Sequence, residues 1–146
     1  MILVIGYGNS DCGDDGAGPA VVARLAEQPV DGVEYRVVYQ LTPELAEPVS
    51  RAEAVIFVDA AAGETPGRVV CREVGPEEGG SMTHHVAAGG VLALAGALYG
   101  ATPRAALCTI GGENFELGEG FSAAVEAGLE ELVEAVRGQI EEMGAG

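Results

Sequence analysis

Short, continuously apolar runs alternate along the chain with segments whose apolar residues recur at helical spacing. Residues 1–5 (Met-Ile-Leu-Val-Ile) form an unbroken run ending at Gly6, the pattern of a strand buried on both faces of a parallel sheet. Residues 33–39, 54–58, 68–74 and 105–110 predict four more strands, the third running straight into Asp59. Between the first two lies a loop of small and acidic residues. Pro19 then stands where an early helical position tolerates proline, and Val21, Val22 and Leu25 predict a helical face to about Gln28. Thr42 caps a short helix starting at Pro43, which Pro48 is expected to end or kink.

The short turn at residues 63–67 predicts a hairpin between the third and fourth strands, with the fourth as an antiparallel edge. A Gly/Glu/Pro-rich loop over 75–82 leads to His84-His85 and an apolar helix over 86–99. Ser122 caps a long last helix in which Val125, Leu129, Leu132, Val133, Val136, Ile140 and Met143 form one stripe. That stripe reads as core. Strands alternating with helices predict an α/β fold, helices covering both faces of a mostly parallel sheet. No repeat or linker divides residues 1–146, so a single domain is expected.

The formal net charge is −16, all seven basic residues are arginine, and the mean hydropathy is +0.24. This composition argues against disorder, and without a basic patch neither nucleic acid nor an anionic membrane surface is an expected partner. An acidic surface suits a basic partner protein or divalent cations, and solubility alone accounts for it equally well. The three cysteines, Cys12, Cys71 and Cys108, are odd in number and far apart, which argues against a disulfide framework or zinc cluster. Cys71 and Cys108 are expected as small core residues, and Cys12 lies in a loop where it could touch a site. The N-terminus leads directly into a strand, without a basic targeting region, so a cytoplasmic setting is expected.

Open α/β sheets bind ligands beyond the carboxyl ends of their strands. Asp14 and Asp15 follow the first strand, Asp59 ends the third, and His84 and His85 open the helix before the fifth. Asp14 or Asp15 could serve only as a helix cap, and Asp59 could simply bond a loop backbone. Carboxylates from two loops at one rim repel unless a cation or proton lies between them, and a nearby imidazole would suit a transition metal such as nickel or zinc. Gly6-Tyr7-Gly8 begins like a dinucleotide fingerprint, but Asp11 stands at the third glycine position and the loop is acidic.

These blocks together resemble the hydrogenase maturation proteases. The resemblance rests on residues 2–9 (Ile-Leu-Val-Ile-Gly-Tyr-Gly-Asn) with 14–18 (Asp-Asp-Gly-Ala-Gly), on 40–46 (Gln-Leu-Thr-Pro-Glu-Leu-Ala) and on 55–60 (Val-Ile-Phe-Val-Asp-Ala). His84-His85, residues 98–100, Pro103, Thr109 to Gly112 and Phe115 to Gly118 continue it along nearly the whole chain, in order. It implies a three-layer α/β/α fold around a twisted, mostly parallel five-stranded sheet with one antiparallel strand. It implies an endopeptidase that recognises nickel in the precursor of a [NiFe]-hydrogenase large subunit and removes its C-terminal extension. The metal is expected to arrive with the substrate.

By motif position the implied metal-contacting and catalytic residues are Asp15, Asp59 and His84. Asp15 is chosen over Asp14 as the second acidic position. His84 is chosen over His85 by its distance to Val86. The loop departs from the family at Asp11 and Cys12, where apolar residues are common. A non-catalytic nickel-binding accessory protein and a small nucleotide-binding domain are the competing readings.

Overall fold

The computed structural model describes residues 1–77, 87–118 and 120–145. His84, His85 and Val86 therefore lie outside the described residues. The elements run β1 (Ile2–Tyr7), α1 (Ala17–Ala26), β2 (Val33–Val38), α2 (Ala46–Arg51), β3 (Ala54–Ala61), β4 (Val69–Val74), α3 (Ala88–Tyr99), β5 (Arg104–Gly111) and α4 (Ala123–Ala145). Single 3-10 turns at Gly13–Gly16 and Pro43–Leu45 precede α1 and α2.

The five strands form one sheet in the order β2-β1-β3-β5-β4, with only β4 antiparallel to its neighbour. Side-chain alternation sorts the apolar strands into two cores. Ile2, Val4, Ile56, Val58, Cys108 and Ile110 pack beneath α1 and α4. Leu3, Ile5, Val55, Phe57 and Ala105 pack beneath α2 and α3. Of the predicted α4 stripe, Val125, Leu132, Val133, Val136, Ile140 and Met143 are buried and Leu129 packs against them, partly buried. The layers are thus α/β/α, as expected.

Three local expectations change. The hairpin between the third and fourth strands does not form, because β5 inserts between β3 and β4 and pairs with both. The short turn only carries the chain past the end of the sheet, and β4 is still the antiparallel edge. Pro48 neither ends nor kinks a helix. It is the third residue of α2, where the missing N–H has no intrahelical acceptor to lose. Cys71 and Cys108 are not two separate core thiols. The β5 insertion makes them register partners on adjacent strands, and their sulfurs are bonded. A separation of 37 residues conceals that pairing from the sequence.

Candidate active site

The crossover from β1 to β2 passes through α1 on one face, and the crossover from β2 to β3 passes through α2 on the other. The sheet therefore divides between β1 and β3, and a crevice opens beyond their carboxyl ends. Gly6 pairs with Val58, the last β1–β3 register pair, while β3 and β5 continue through Asp59↔Thr109 to Ala61↔Gly111. Asp59 is thus within β3 rather than after it, and its flank toward β1 is open.

The first loop is folded tightly against this opening. Gly8 has φ +145°, and a Cβ there would collide with the Asp15 carbonyl oxygen. Gly18 lets α1 approach so closely that a Cβ would collide with the Val58 carbonyl oxygen and lie 3.0 Å from that of Tyr7. This close packing brings Asp15 to the rim. Its Oδ2 accepts the Asn9 N–H at 2.7 Å. Asn9 in turn donates its amide to the Tyr39 hydroxyl at 2.5 Å and accepts the Asp11 N–H at 2.9 Å.

Asp15 and Asp59 line one cavity of about 400 Å³ together with Tyr7, Gly8, Asn9, Cys12, Tyr39, Gln40 and Phe115. Asp59 Oδ1 accepts the Ala60 N–H at 2.8 Å. Tyr7 stands level with Asp59 across the β1–β3 opening and lines the same cavity. Burial pushes the Asp59 carboxyl up to about 7. The Asp15 charge adds to that rise, against the opposing pull of the Ala60 N–H. Burial and the Asp59 charge also push the Tyr7 hydroxyl well above its ordinary range, so it remains a proton donor. A carboxylate pair under this strain favours a cation or a shared proton between its members.

Asp14 does something different. It is fully buried. Its Oδ2 accepts the Glu113 N–H (2.8 Å), the Asn114 N–H (2.9 Å) and the Ser122 hydroxyl (2.8 Å), while Oδ1 accepts the Ser122 N–H at 2.8 Å. Ser122 Oγ also caps α4 by accepting the Val125 N–H at 3.4 Å. Burial raises the Asp14 carboxyl, but these donors outweigh it and hold the group below its usual value. Asp14 ties the first loop to the segment after β5 and has no free face toward the cleft.

The sequence-derived pair Asp15 and Asp59 is thus brought together, and the histidines fall outside the described residues. Among the described residues, no group of three potential metal-ligating side chains forms. Tyr7, Tyr39, Gln40 and Phe115 were missed as cleft residues. Period-two alternation could have found Tyr7. Leu3 and Ile5 share one face of β1 with it, and Val55 and Phe57 share that same sheet face with Asp59. The Gly6-Tyr7-Gly8 loop does not offer an open helix terminus to a pyrophosphate, since it closes onto the Asp15 backbone.

No family model matches the sequence, and no curated protein matches it. Solved structures do. The hydrogenase maturating endopeptidase HybD from E. coli superimposes with a TM-score of 0.79 at 25% identity, over 99% of this chain and 94% of that one. The hydrogenase 2 maturation peptidase from a Thaumarchaeota archaeon gives 0.72 at 27% identity, over 97% and 98%. The [NiFe] hydrogenase maturation protease HycI from Thermococcus kodakarensis shares the fold with a TM-score of 0.74 at 23% identity, over 93% and 89%.

The likeness to these structures supports a small α/β/α peptidase. The solved structures it resembles at 25% and 27% identity are hydrogenase maturation endopeptidases, as the ordered motifs of the sequence led one to expect.

Proposed function

We propose that this protein recognises nickel already held in the precursor of a [NiFe]-hydrogenase large subunit and cleaves off its C-terminal extension. The observation that carries the reading is the Asp15–Asp59 pair, which faces one cleft at the switch point of a maturation-peptidase fold. In this reading nickel is part of the substrate. Asp15, Asp59 and His84 are the residues assigned to contact it, with carboxylate and imidazole donors that suit a borderline divalent cation.

The chemistry of the pair fits such a visitor. Two carboxylates at one cavity repel, and an incoming cation relieves that repulsion and displaces the proton that burial favours on Asp59. Once ionised, Asp59 is the base assigned to take a proton from attacking water. Asp15, held by the Asn9 N–H, supplies the fixed second charge. The setting proposed is cytoplasmic, a compartment in which the bonded Cys71–Cys108 pair meets thiol reductants.

The test is the intact mass of a hydrogenase large-subunit precursor from the same genome, co-expressed with the protein, with and without nickel. Nickel-dependent loss of a C-terminal peptide is expected. Asp15→Asn or Asp59→Asn is expected to slow it at least about 100-fold. His84→Ala and His85→Ala identify the histidine, with loss expected for the first alone. An unchanged mass with fully nickel-loaded precursors would defeat the proposal.

A further inference from the structure

Tyr39 follows the last residue of β2, one step beyond the register pair Tyr7↔Val38 that closes the β1–β2 ladder. The strand end is pinned there, because the Val38 carbonyl accepts the Gly8 N–H at 3.3 Å. The Tyr39 side chain is 64% exposed, yet it lines the cleft with Asp15 and Asp59, and its hydroxyl is tethered by the Asn9 amide at 2.5 Å. The direction of that bond is fixed by the other end of the amide. Asn9 Oδ1 accepts the Asp11 N–H at 2.9 Å, and a main-chain N–H can only donate. The amide oxygen therefore faces Asp11 and the amide nitrogen faces Tyr39. That nitrogen has no acceptor capacity, so the tyrosine oxygen is the acceptor and its own proton is not used on Asn9.

We propose that Tyr39 is a substrate-binding residue: its hydroxyl, held by Asn9 at the cleft, donates to a main-chain carbonyl oxygen of the peptide that enters beside Asp15 and Asp59. This subsite deepens the peptidase reading above and rests on it. Charge decides what kind of acceptor fits. Asp15 and Asp59 line the same cavity in a chain of net charge −16, so an anionic acceptor is repelled while a neutral carbonyl is not. A peptide main chain supplies one such carbonyl per residue. A hydroxyl that already accepts an amide N–H is polarised into a better donor, as members of hydrogen-bond chains are. Asn9 also links the two sides of the cleft. Its main-chain N–H holds Asp15 Oδ2 at 2.7 Å while its side chain holds the tyrosine. One residue thus sets the spacing between a carboxylate and the carbonyl donor. Tethering the ring beforehand leaves less side-chain freedom to lose when a peptide arrives.

The experiment compares the full-length protein with Tyr39→Phe, which keeps the ring and removes only the hydroxyl, on nickel-loaded large-subunit precursor from the same genome. Loss of one hydrogen bond is expected to raise KM about 3–10-fold, while kcat stays within roughly twofold. The thermal midpoint is expected to stay within about 2 °C of wild type, since the side chain is mostly exposed. An unchanged KM overturns the subsite and leaves the peptidase reading intact. A fall in kcat at unchanged KM overturns it too, because that puts the hydroxyl on the reacting atoms instead of a binding contact. So does a raised KM with a lowered midpoint, which marks a role in loop packing. If wild type cleaves no precursor, the peptidase reading fails, and the Kd for the uncleaved precursor, read by biolayer interferometry, decides the subsite. A 3–10-fold weaker Kd in Tyr39→Phe supports it. An equal Kd, or no binding by either protein, overturns it.

Discussion

Asp14 and Asp15 are neighbours of identical chemistry with opposite roles, and the difference lies in what surrounds each carboxylate. Asp14 faces three backbone N–H groups and a hydroxyl. Asp14→Asn substitutes one accepting oxygen for two and turns an amide N–H toward backbone donors. It is expected to destabilise the fold by about 2–4 kcal/mol, read from urea unfolding. The sign of its pH dependence follows from a folded pKa held below 3.8. The stabilisation is fully present above that unfolded value and is lost as pH falls through the lower folded one. Wild type should lose stability in acid below about pH 4 more steeply than Asp14→Asn.

Asp59 has the reverse sign. Its folded value of about 7 exceeds the ordinary 3.8, so the folded state holds the proton more tightly and loses stability as pH rises between the two. Asp59→Asn is expected to stabilise the metal-free protein by roughly 1–2 kcal/mol at pH 8, discounted for partial exposure. That gain should vanish toward pH 4, although the same substitution is expected to slow cleavage at least about 100-fold. Thermal unfolding across pH checks both signs. A site that is less stable for its function is the expected trade-off.

Among the elements, α1 carries the tightest constraint. Gly18 brings its first turn onto the ends of β1 and β3, and Asp15 reaches the rim only because that approach is possible. Gly18→Ala forces a Cβ against two strand carbonyls, an overpacking expected to cost about 1–3 kcal/mol and to lower cleavage by displacing the first loop. Equilibrium unfolding and precursor cleavage, measured on the same sample, check both. In α4, the stripe legible in the sequence is the inner face. Leu132→Ala, at a fully buried position, is expected to cost about 2–5 kcal/mol in the same unfolding assay. Helices of this kind announce themselves because their buried positions recur every three or four residues. The pairing of β4 does not, because one strand from later in the chain intervenes between β3 and β4.

Taken as a whole molecule, the acidic chain presents an acidic cleft at one end of the sheet, and no helix among the described residues is long and apolar enough to cross a membrane. The thiol inventory tests the sheet order directly. Cys71 and Cys108 are bonded and Cys12 is free. Alkylation of the denatured, unreduced protein should add one label, and reduction beforehand should raise the number to three. Mass spectrometry reads the difference. One label before reduction would support the β4–β5 pairing that brings the two sulfurs together.

By itself the sequence determined the alternation of strands and helices, the two-sided burial of the central strands, the α4 stripe, the Ser122 cap and the acidic loop residues at the strand ends. These are set by local periodicity and by the conformational preferences of single residues, so neighbours along the chain suffice to read them. The tertiary structure alone decided that Asp14 is a clasp while Asp15 opens on the cleft, that Tyr7 stands beside Asp59 at the cleft, and that Cys71 meets Cys108. Each of these depends on which strands become neighbours and in what register. That choice is made by burial summed over the whole sheet, through contacts between residues many positions apart, and no local pattern encodes it.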